Sequence, residues 1–98
     1  MTSEELDELV RALANATRRE ILRRCRDRYV PAGEIAEAIA LAPASVSEHL
    51  KVLRKTGLVV LDRAGTSWRY RTDQARLDEA LSALAGDLPR STEPRTEP

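Results

Sequence analysis

The residues of this 98-residue chain that could do chemistry alone are few, namely one cysteine and one histidine. Cys25 follows Ile21 by four residues in an amphipathic stretch, so we expect a buried core thiol rather than a nucleophile. His49 is expected to contact a phosphate or to pack beside the core. Because the one cysteine is expected to be buried and only one histidine accompanies it, one chain offers neither an assembled nucleophile–base pair nor a usual transition-metal site. The sequence therefore predicts no enzyme, no required cofactor and no assigned metal site.

Hydroxyl, carboxylate and ammonium groups are instead concentrated in the stretch PASVSEHLKVLRKTG, residues 43–57. Its proline suits the first position of a helix, and its glycine suits the residue just beyond a helix end. At about 100° per residue, Val46, Leu50 and Leu53 share a narrow arc that must face the core. The stretch therefore predicts an amphipathic helix with one polar side.

The polar side of this helix suits double-stranded DNA. Small residues allow close approach, serine hydroxyls can bond to bases or phosphates, and lysines suit phosphates. A glutamate there could accept a hydrogen bond from a cytosine amino group. The predicted DNA contacts are Ala44, Ser45, Ser47, Glu48, His49, Lys51 and Lys55. The alternative is an ordinary solvated helix face.

A β-hairpin is predicted after this helix, because the β-rich runs LVVLD and SWRYR flank RAGT, with Gly65 in the turn. In the second run Trp68 and Tyr70 alternate with arginines, which predicts one apolar, anchoring face and one basic face. Arg63, Gly65 and Arg69 are the predicted DNA contacts of this hairpin. The alternative is a plain edge hairpin, protected from aggregation by its arginines.

Charge is unevenly distributed although the net charge is zero. Residues 18–28 and 43–72 each carry +4, whereas residues 1–17 and 73–98 each carry −3. Attraction to phosphate depends on the local surface rather than on the total charge. The basic middle of the chain is therefore consistent with nucleic-acid binding.

Helical periodicity predicts two helices before Pro31, a short third helix that begins at Pro31, and a last helix that begins after Asp73. The predicted fold is mainly α with a small β-hairpin, a winged helix-turn-helix in the order α-α-α-α-β-β-α. One domain is expected over residues 1–88, followed by a disordered tail over 89–98, which has no apolar residue to bury.

The chain resembles the ArsR-SmtB family of bacterial winged-helix transcriptional repressors. The segments LANATRREIL, GEIAEAIALAPASVSEHLKVLRKTGLV and RAGTSWRYR look like its second helix, helix-turn-helix and wing. The resemblance implies a homodimer joined through the first and last helices, and binding to an inverted-repeat operator. The leucine-rich faces that fit this dimerisation, although each could be core, are Leu6, Leu9, Val10, Leu13, Leu77, Leu81, Leu84 and Leu88.

Metal sensing, which the resemblance also suggests, lacks its familiar ligands. Many members use a cysteine pair at the start of the third helix, but the corresponding RYVPAGEIAE has none. Others use Asp and His on the last helix, which here contains no histidine. A site built from Asp73, Asp78 and Glu79 with other groups is a weakly supported alternative. A transition metal is thus possible but not supported by the ligand residues.

The sequence predicts a dimeric, sequence-specific DNA-binding regulator that acts as a repressor. One alternative is a sensor gated by a small ligand or by nickel, zinc or cobalt, through a non-typical site or an effector-binding partner protein. The other is a winged helix that binds proteins. No leader and no membrane-length apolar run are seen, so a cytoplasmic protein with no membrane contact is expected.

Overall fold

The computed structural model describes residues 1–89, which form five helices and one antiparallel sheet. The elements are α1 (Ser3–Leu13), α2 (Ala16–Arg24), β1 (Val30–Pro31), α3 (Ala32–Ile39), α4 (Pro43–Lys55), β2 (Val59–Ala64), β3 (Ser67–Thr72) and α5 (Gln74–Asp87). This arrangement confirms the predicted winged helix-turn-helix. Most of the predicted tail lies outside the described residues, so the tail and the domain boundary stay predictions.

Three helices begin where a side chain accepts a hydrogen bond from the first turn. Thr2 accepts from the Glu5 amide at 3.1 Å, and Asn15 accepts from the Arg18 amide at 3.0 Å. Asp73 does the same at the start of α5. Each contact satisfies a backbone donor that has no partner within its own helix.

The turn between α3 and α4 depends on Ala40, which has a left-handed backbone with φ of 57°. This conformation lets the amide of Leu41 donate to the carbonyl of Ala36 at 3.3 Å, which closes the end of α3. Pro43 follows as the first residue of α4, where its missing N–H costs nothing. The two helices are therefore joined by a very short connection.

Gly57 ends α4 in the left-handed conformation that the sequence predicted, with φ of 79°. Its amide donates to Arg54, and the amide of Leu58 reaches back to the carbonyl of Leu53 at 2.9 Å. These two bonds form a Schellman motif. The motif turns the chain directly from α4 into β2.

The sheet has the order β1-β3-β2, so β3 lies in the centre. β2 and β3 form the predicted hairpin, in which Ala64 pairs with Ser67 across a two-residue turn. Gly65 takes a positive φ of 62° at the first turn position, as a type II′ turn requires.

The short strand β1 was not predicted. The proposed start of α3 at Pro31 was wrong by one residue, since Pro31 pairs with Arg69 in the sheet and precedes the helix.

The core is aliphatic and is centred on α4. Val46, Leu50 and Leu53 are at most 2 % exposed, which confirms the predicted inward arc. The aromatic residues of β3 behave differently from the prediction. Tyr70 is buried, but Trp68 is 43 % exposed, because the hairpin extends past the edge of the core. Only one of the two aromatics therefore anchors the wing.

The predicted dimerisation residues divide into three groups. Leu6 and Leu9 are buried in the single chain, with Leu9 completely inaccessible, so they offer almost no surface to a partner. Leu81 on α5 and Leu88 just beyond its end remain more than half exposed. The half-buried members are Val10, Leu13, Leu77 and Leu84. Within residues 1–89, no helix is long and apolar enough to cross a membrane.

Candidate nucleic-acid interface

The outer face of α4 lies open to solvent, on the side opposite its buried arc. Six of the seven predicted contacts on this helix are exposed: Ala44, Ser45, Ser47, Glu48, Lys51 and Lys55. The first turn contains no acidic residue and no side-chain cap. The positive end of the helix dipole is therefore left without an internal counter-charge, which favours an approaching anion.

His49 is the one half-buried residue of the predicted set on α4. Its Nδ1 lies 3.4 Å from Nη1 of Arg18, on α2. The same guanidinium donates to the carbonyls of Ala12 and Arg11 at 2.8 and 2.9 Å, at the end of α1. Arg18 thus joins three helices and holds the inner edge of the α4 face in place.

Glu48 and Lys51 form a loose ion pair on the open face, with 3.5 Å between their charged atoms. Both side chains are about three-quarters exposed, so water screens the pair and it contributes little to stability. Neither group is therefore committed to its partner. Both are free to exchange this contact for one with a nucleic acid.

The hairpin places one arginine at its tip and neutralises another. The guanidinium carbon of Arg63 lies 4.3 Å from the centroid of the Trp68 ring, in a cation–π contact. Arg69, on the other face of β3, forms an ion pair with Asp62 across the hairpin and lies near Tyr29. The exposed cation of the predicted wing set is thus Arg63, while the charge of Arg69 is already balanced.

The base of the hairpin is fixed to α2 by buried hydrogen bonds. The Thr72 hydroxyl donates to the carbonyl of Leu22 at 2.8 Å, and its amide donates to the carbonyl of Cys25 at 3.0 Å. Because β3 is held at this end, the position of its far end relative to α4 is defined.

Most arginines of the basic segment 18–28 have internal partners. Arg19 donates to the carbonyl of Leu13 at 2.7 Å, and Arg23 and Arg24 both bind Glu20. The hydrogen bond from Arg23 holds the pKa of Glu20 below its ordinary value. The carbonyl contacts of Arg18 and Arg19 give both side chains a structural role.

The chemistry of the single cysteine is suppressed by burial, as the sequence predicted. Cys25 is completely inaccessible, and desolvation raises the pKa of its thiol from 9.0 to about 11. The thiol is therefore protonated at neutral pH and is a poor nucleophile or metal ligand. Among residues 1–89, no three His, Cys, Asp or Glu side chains are grouped closely enough to hold a metal ion.

Arg54 was missed by the sequence analysis, although its position contained the necessary signal. It follows Ser47 and Lys51 at the seven- and three-residue spacings that place side chains on one side of a helix. In the structure, these three residues line the side of α4 that faces Tyr70 and Trp68 on β3.

An exposed helix with small and cationic side chains, positioned by a helix-turn-helix and flanked by a β-hairpin, defines a winged helix-turn-helix DNA-binding protein. Comparison with known proteins supplies the particular family. The sequence profile described as a helix-turn-helix domain matches residues 13–62. The chain belongs to the ArsR-SmtB family of transcriptional regulators.

Three similar proteins illustrate this membership. The HTH-type transcriptional regulator NmtR of Mycobacterium tuberculosis is 45 % identical over 76 residues, which are 74 % of this chain and 63 % of NmtR. An ArsR-like regulator from Rhodococcus sp. RHA1 superposes with a TM-score of 0.79 at 29 % identity, covering 88 % of this chain and 82 % of that one. A homodimeric winged helix-turn-helix DNA-binding domain from Mycobacterium bovis gives 0.70 at 30 % identity, over 86 and 81 %.

Proposed function

We propose that this regulator is a homodimeric repressor that binds an inverted-repeat DNA operator in the cytoplasm. The observation that carries the proposal is the open face of α4, which combines small, hydroxyl and cationic side chains beside a basic hairpin. A helix with this surface fits the major groove, which admits one α-helix. Repression follows when a bound dimer excludes the transcription machinery from overlapping DNA.

The dimer is supported by an apolar surface that one chain leaves uncovered. Leu81 on α5 and Leu88 just beyond its end are 52 and 56 % exposed, next to half-buried leucines of α1 and α5. Exposed leucines at helical spacing are typical of a helix that packs against a partner. The Mycobacterium bovis domain is described as homodimeric, and its fold covers most of this chain. Two α4 helices related by a two-fold axis would read two half-sites.

Base reading and phosphate binding are assigned to different residues of α4. Ser45, near the helix N-terminus, is placed to read bases, since the N-terminal part of a recognition helix enters deepest. Lys51, two turns further along, is placed to bind phosphate. Ser47 shares the reading role with Ala44 and Glu48.

The remaining members of the predicted set complete the contact. His49 lies on the border of the α4 face, Lys55 lies at the C-terminal end of that face, and Arg63 and Gly65 form the hairpin tip. Arg69 is the weakest member, because Asp62 balances its charge.

The proposed DNA binding requires no metal or other cofactor. The sequence contains one histidine and one cysteine, and the cysteine is buried and protonated. On this proposal, the amount of the protein or an effector-binding partner protein sets when the operator is occupied. Binding measured with a chelator, and then with added zinc, nickel or cobalt, tests the proposal directly. A metal-dependent change in affinity would establish the alternative of a metal-gated sensor.

The experiment that tests the proposed function is fluorescence anisotropy of labelled DNA from upstream of the chain's own gene, compared with a shuffled duplex. Tight binding to the first duplex only is the expected result. We expect Lys51→Ala to weaken binding to both duplexes and to lower the slope of log affinity against log salt by about one. Ser45→Ala should reduce the ratio of the two affinities, by about fivefold or more.

Matched controls are available on elements outside the proposed interface. Arg24→Ala removes an exposed cation from α2, and Ser82→Ala removes an exposed hydroxyl from α5. Neither change should alter the selectivity. Equal losses on both duplexes for Ser45→Ala would disprove its reading role, and absence of binding to any DNA at low salt would contradict the proposed function.

A further inference from the structure

A groove runs between the recognition helix α4 and strand β3 of the hairpin, with a volume of about 380 Å³. Ser47, Lys51 and Arg54 form its helix side, and Trp68 and Tyr70 form its strand side. The groove opens beside Ser47 and Lys51, which belong to the outer face of α4. It is therefore continuous with the proposed DNA-reading surface.

Trp68 is an unusual residue for such a position. The residue is 43 % exposed although burial of a tryptophan is a major source of stability, and the neighbouring Tyr70 on the same strand face is buried. Arg63 covers the ring from the paired position on β2 at 4.3 Å. The ring is thus held by a cation contact while a large part of its apolar surface stays available to a ligand.

The charge of the groove is positive. Lys51 and Arg54 lie on one side, Arg63 lies against the Trp68 ring, and the described groove lining includes no carboxylate. Glu48 is the acidic neighbour of Lys51, at 3.5 Å, and its side chain is about three-quarters exposed. A ligand that combines negative charge with an apolar, flat or ring-shaped part complements this surface.

We propose that this groove holds the sugar-phosphate backbone of the bound DNA, with Lys51 and Arg54 on a phosphate and the Trp68 ring against the adjoining deoxyribose. The inference rests on the proposed function and extends it, because it assigns DNA contacts to two residues that the base-reading face does not include. A contact of this kind fixes the register of the protein on the duplex without reading sequence.

The geometry gives the groove a positioning role. α4 reads bases only if its axis is held at the correct depth and angle in the major groove. A backbone segment bound between α4 and β3 sets both, since the Gly57 turn joins α4 directly to the hairpin and Thr72 fixes the base of the hairpin to α2. Trp68 is therefore a positioning residue rather than a specificity-determining one.

The test uses the fact that Trp68 is the single tryptophan of the chain. Its intrinsic fluorescence is titrated with unlabelled operator duplex and with the shuffled duplex, on the full-length chain. We expect the emission to change intensity and to shift to shorter wavelength as DNA displaces water from the ring. Addition of acrylamide should quench the free protein more strongly than the complex, because the bound backbone shields the indole.

Substitutions then distinguish the contact made by the Trp68 ring from the attraction due to the Arg54 charge. With labelled DNA as the readout, Trp68→Ala should weaken binding to both duplexes by about tenfold, and Trp68→Phe should stay within about twofold of the wild type. Arg54→Gln should lower the salt slope by about one. The control Arg24→Gln removes one exposed cation on α2, outside the groove, and should leave the slope and both affinities nearly unchanged.

Circular dichroism and urea unfolding establish that each variant is folded, so that a loss of binding reports on the groove. Binding by the wild-type chain with unaltered Trp68 emission and unaltered quenching overturns the groove proposal, and so does full affinity in Trp68→Ala. The proposed function survives either result. Failure of the wild-type chain to bind any duplex overturns the proposed function itself, which distinguishes the two.

Discussion

Several arginines in this molecule connect elements of the fold through hydrogen bonds and ion pairs, although their side chains are partly exposed to solvent. Arg76, in the first turn of α5, donates to the carbonyl of Thr56 at 3.0 Å and lies 3.6 Å from Glu5 on α1. Arg18 makes similar contacts at the other end of α1. Guanidinium groups suit such positions because they present several donors in a fixed plane. A count of basic residues in the sequence therefore overstates how many are free to bind DNA.

Gly57 carries the first prediction at this scale. We expect Gly57→Ala to lower the free energy of unfolding by about 1–2 kcal/mol, because an L-residue is strained at a φ of 79°. A Cβ there would also lie 3.3 Å from the Arg76 side chain. Urea unfolding followed by circular dichroism measures the change.

The matched control for this substitution is Gly33→Ala, which lies within α3 and whose new Cβ would meet nothing within 4 Å. Alanine favours the helix, so this control should keep or raise the stability. Equal stability of Gly57→Ala and the wild type would show that the turn tolerates a side chain.

At the scale of elements, the hairpin is positioned by its base rather than by its tip. β3 pairs with both β1 and β2, and Thr72 fixes its end to the carbonyl groups of α2. Toward the tip, Trp68 and the turn residues lie outside the core and are exposed to solvent. The hairpin therefore has a base that is fixed to the core and a tip that is exposed to solvent, which is the geometry that a DNA-binding wing needs.

Thr72 provides the prediction for this anchor. Thr72→Val keeps the shape of the side chain but removes the buried hydroxyl that donates to Leu22. We expect a loss of about 1–2 kcal/mol in the free energy of unfolding, since one buried carbonyl loses a partner. Thr66→Val makes the same chemical change in the exposed hairpin turn and should stay within about 0.5 kcal/mol of the wild type. A similar stability for both variants would argue against the anchor.

At the scale of the whole molecule, one chain leaves an apolar surface on α5 that it does not cover. Ala80 is the single residue of α5 that is buried, so the docking of this helix on its own chain uses a narrow contact. Leu81, at the next position, is 52 % exposed, and Leu88, just beyond the helix, is 56 % exposed. A small domain with this distribution gains stability when a second copy covers the surface.

The prediction for the assembly uses sedimentation equilibrium. The wild-type chain should behave as a dimer of the 10.9 kDa protomer, and Leu81→Asp should sediment as a monomer, because a buried unpaired carboxylate is costly. Ser82→Asp introduces the same charge at the next position, about 100° around the helix, and should remain dimeric. A Leu81→Asp variant that remained dimeric would show that the dimer interface does not include Leu81.

Local rules acting on the sequence were sufficient for the helices, for the hairpin and for the exposed face of α4. Contacts at the helix ends join residues three to five positions apart, so they can be predicted from spacing. The residues that make them are Thr2, Asn15, Asp73 and Gly57. The buried arc of α4 can be predicted for the same reason, since helical periodicity decides which side chains share a face. Family membership then agreed with what these patterns indicated.

Tertiary structure alone decided what depends on residues far apart in the chain. The strand β1 exists because Val30 pairs with Tyr70, forty positions later, and a two-residue strand has no periodicity to detect. The same holds for the burial of Leu9 within one chain, the exposure of Trp68 and the neutralisation of Arg69 by Asp62. Sequence patterns report that a side chain is apolar or charged. Which neighbour covers or pairs with it is set by packing, and packing is determined only when the whole chain is folded.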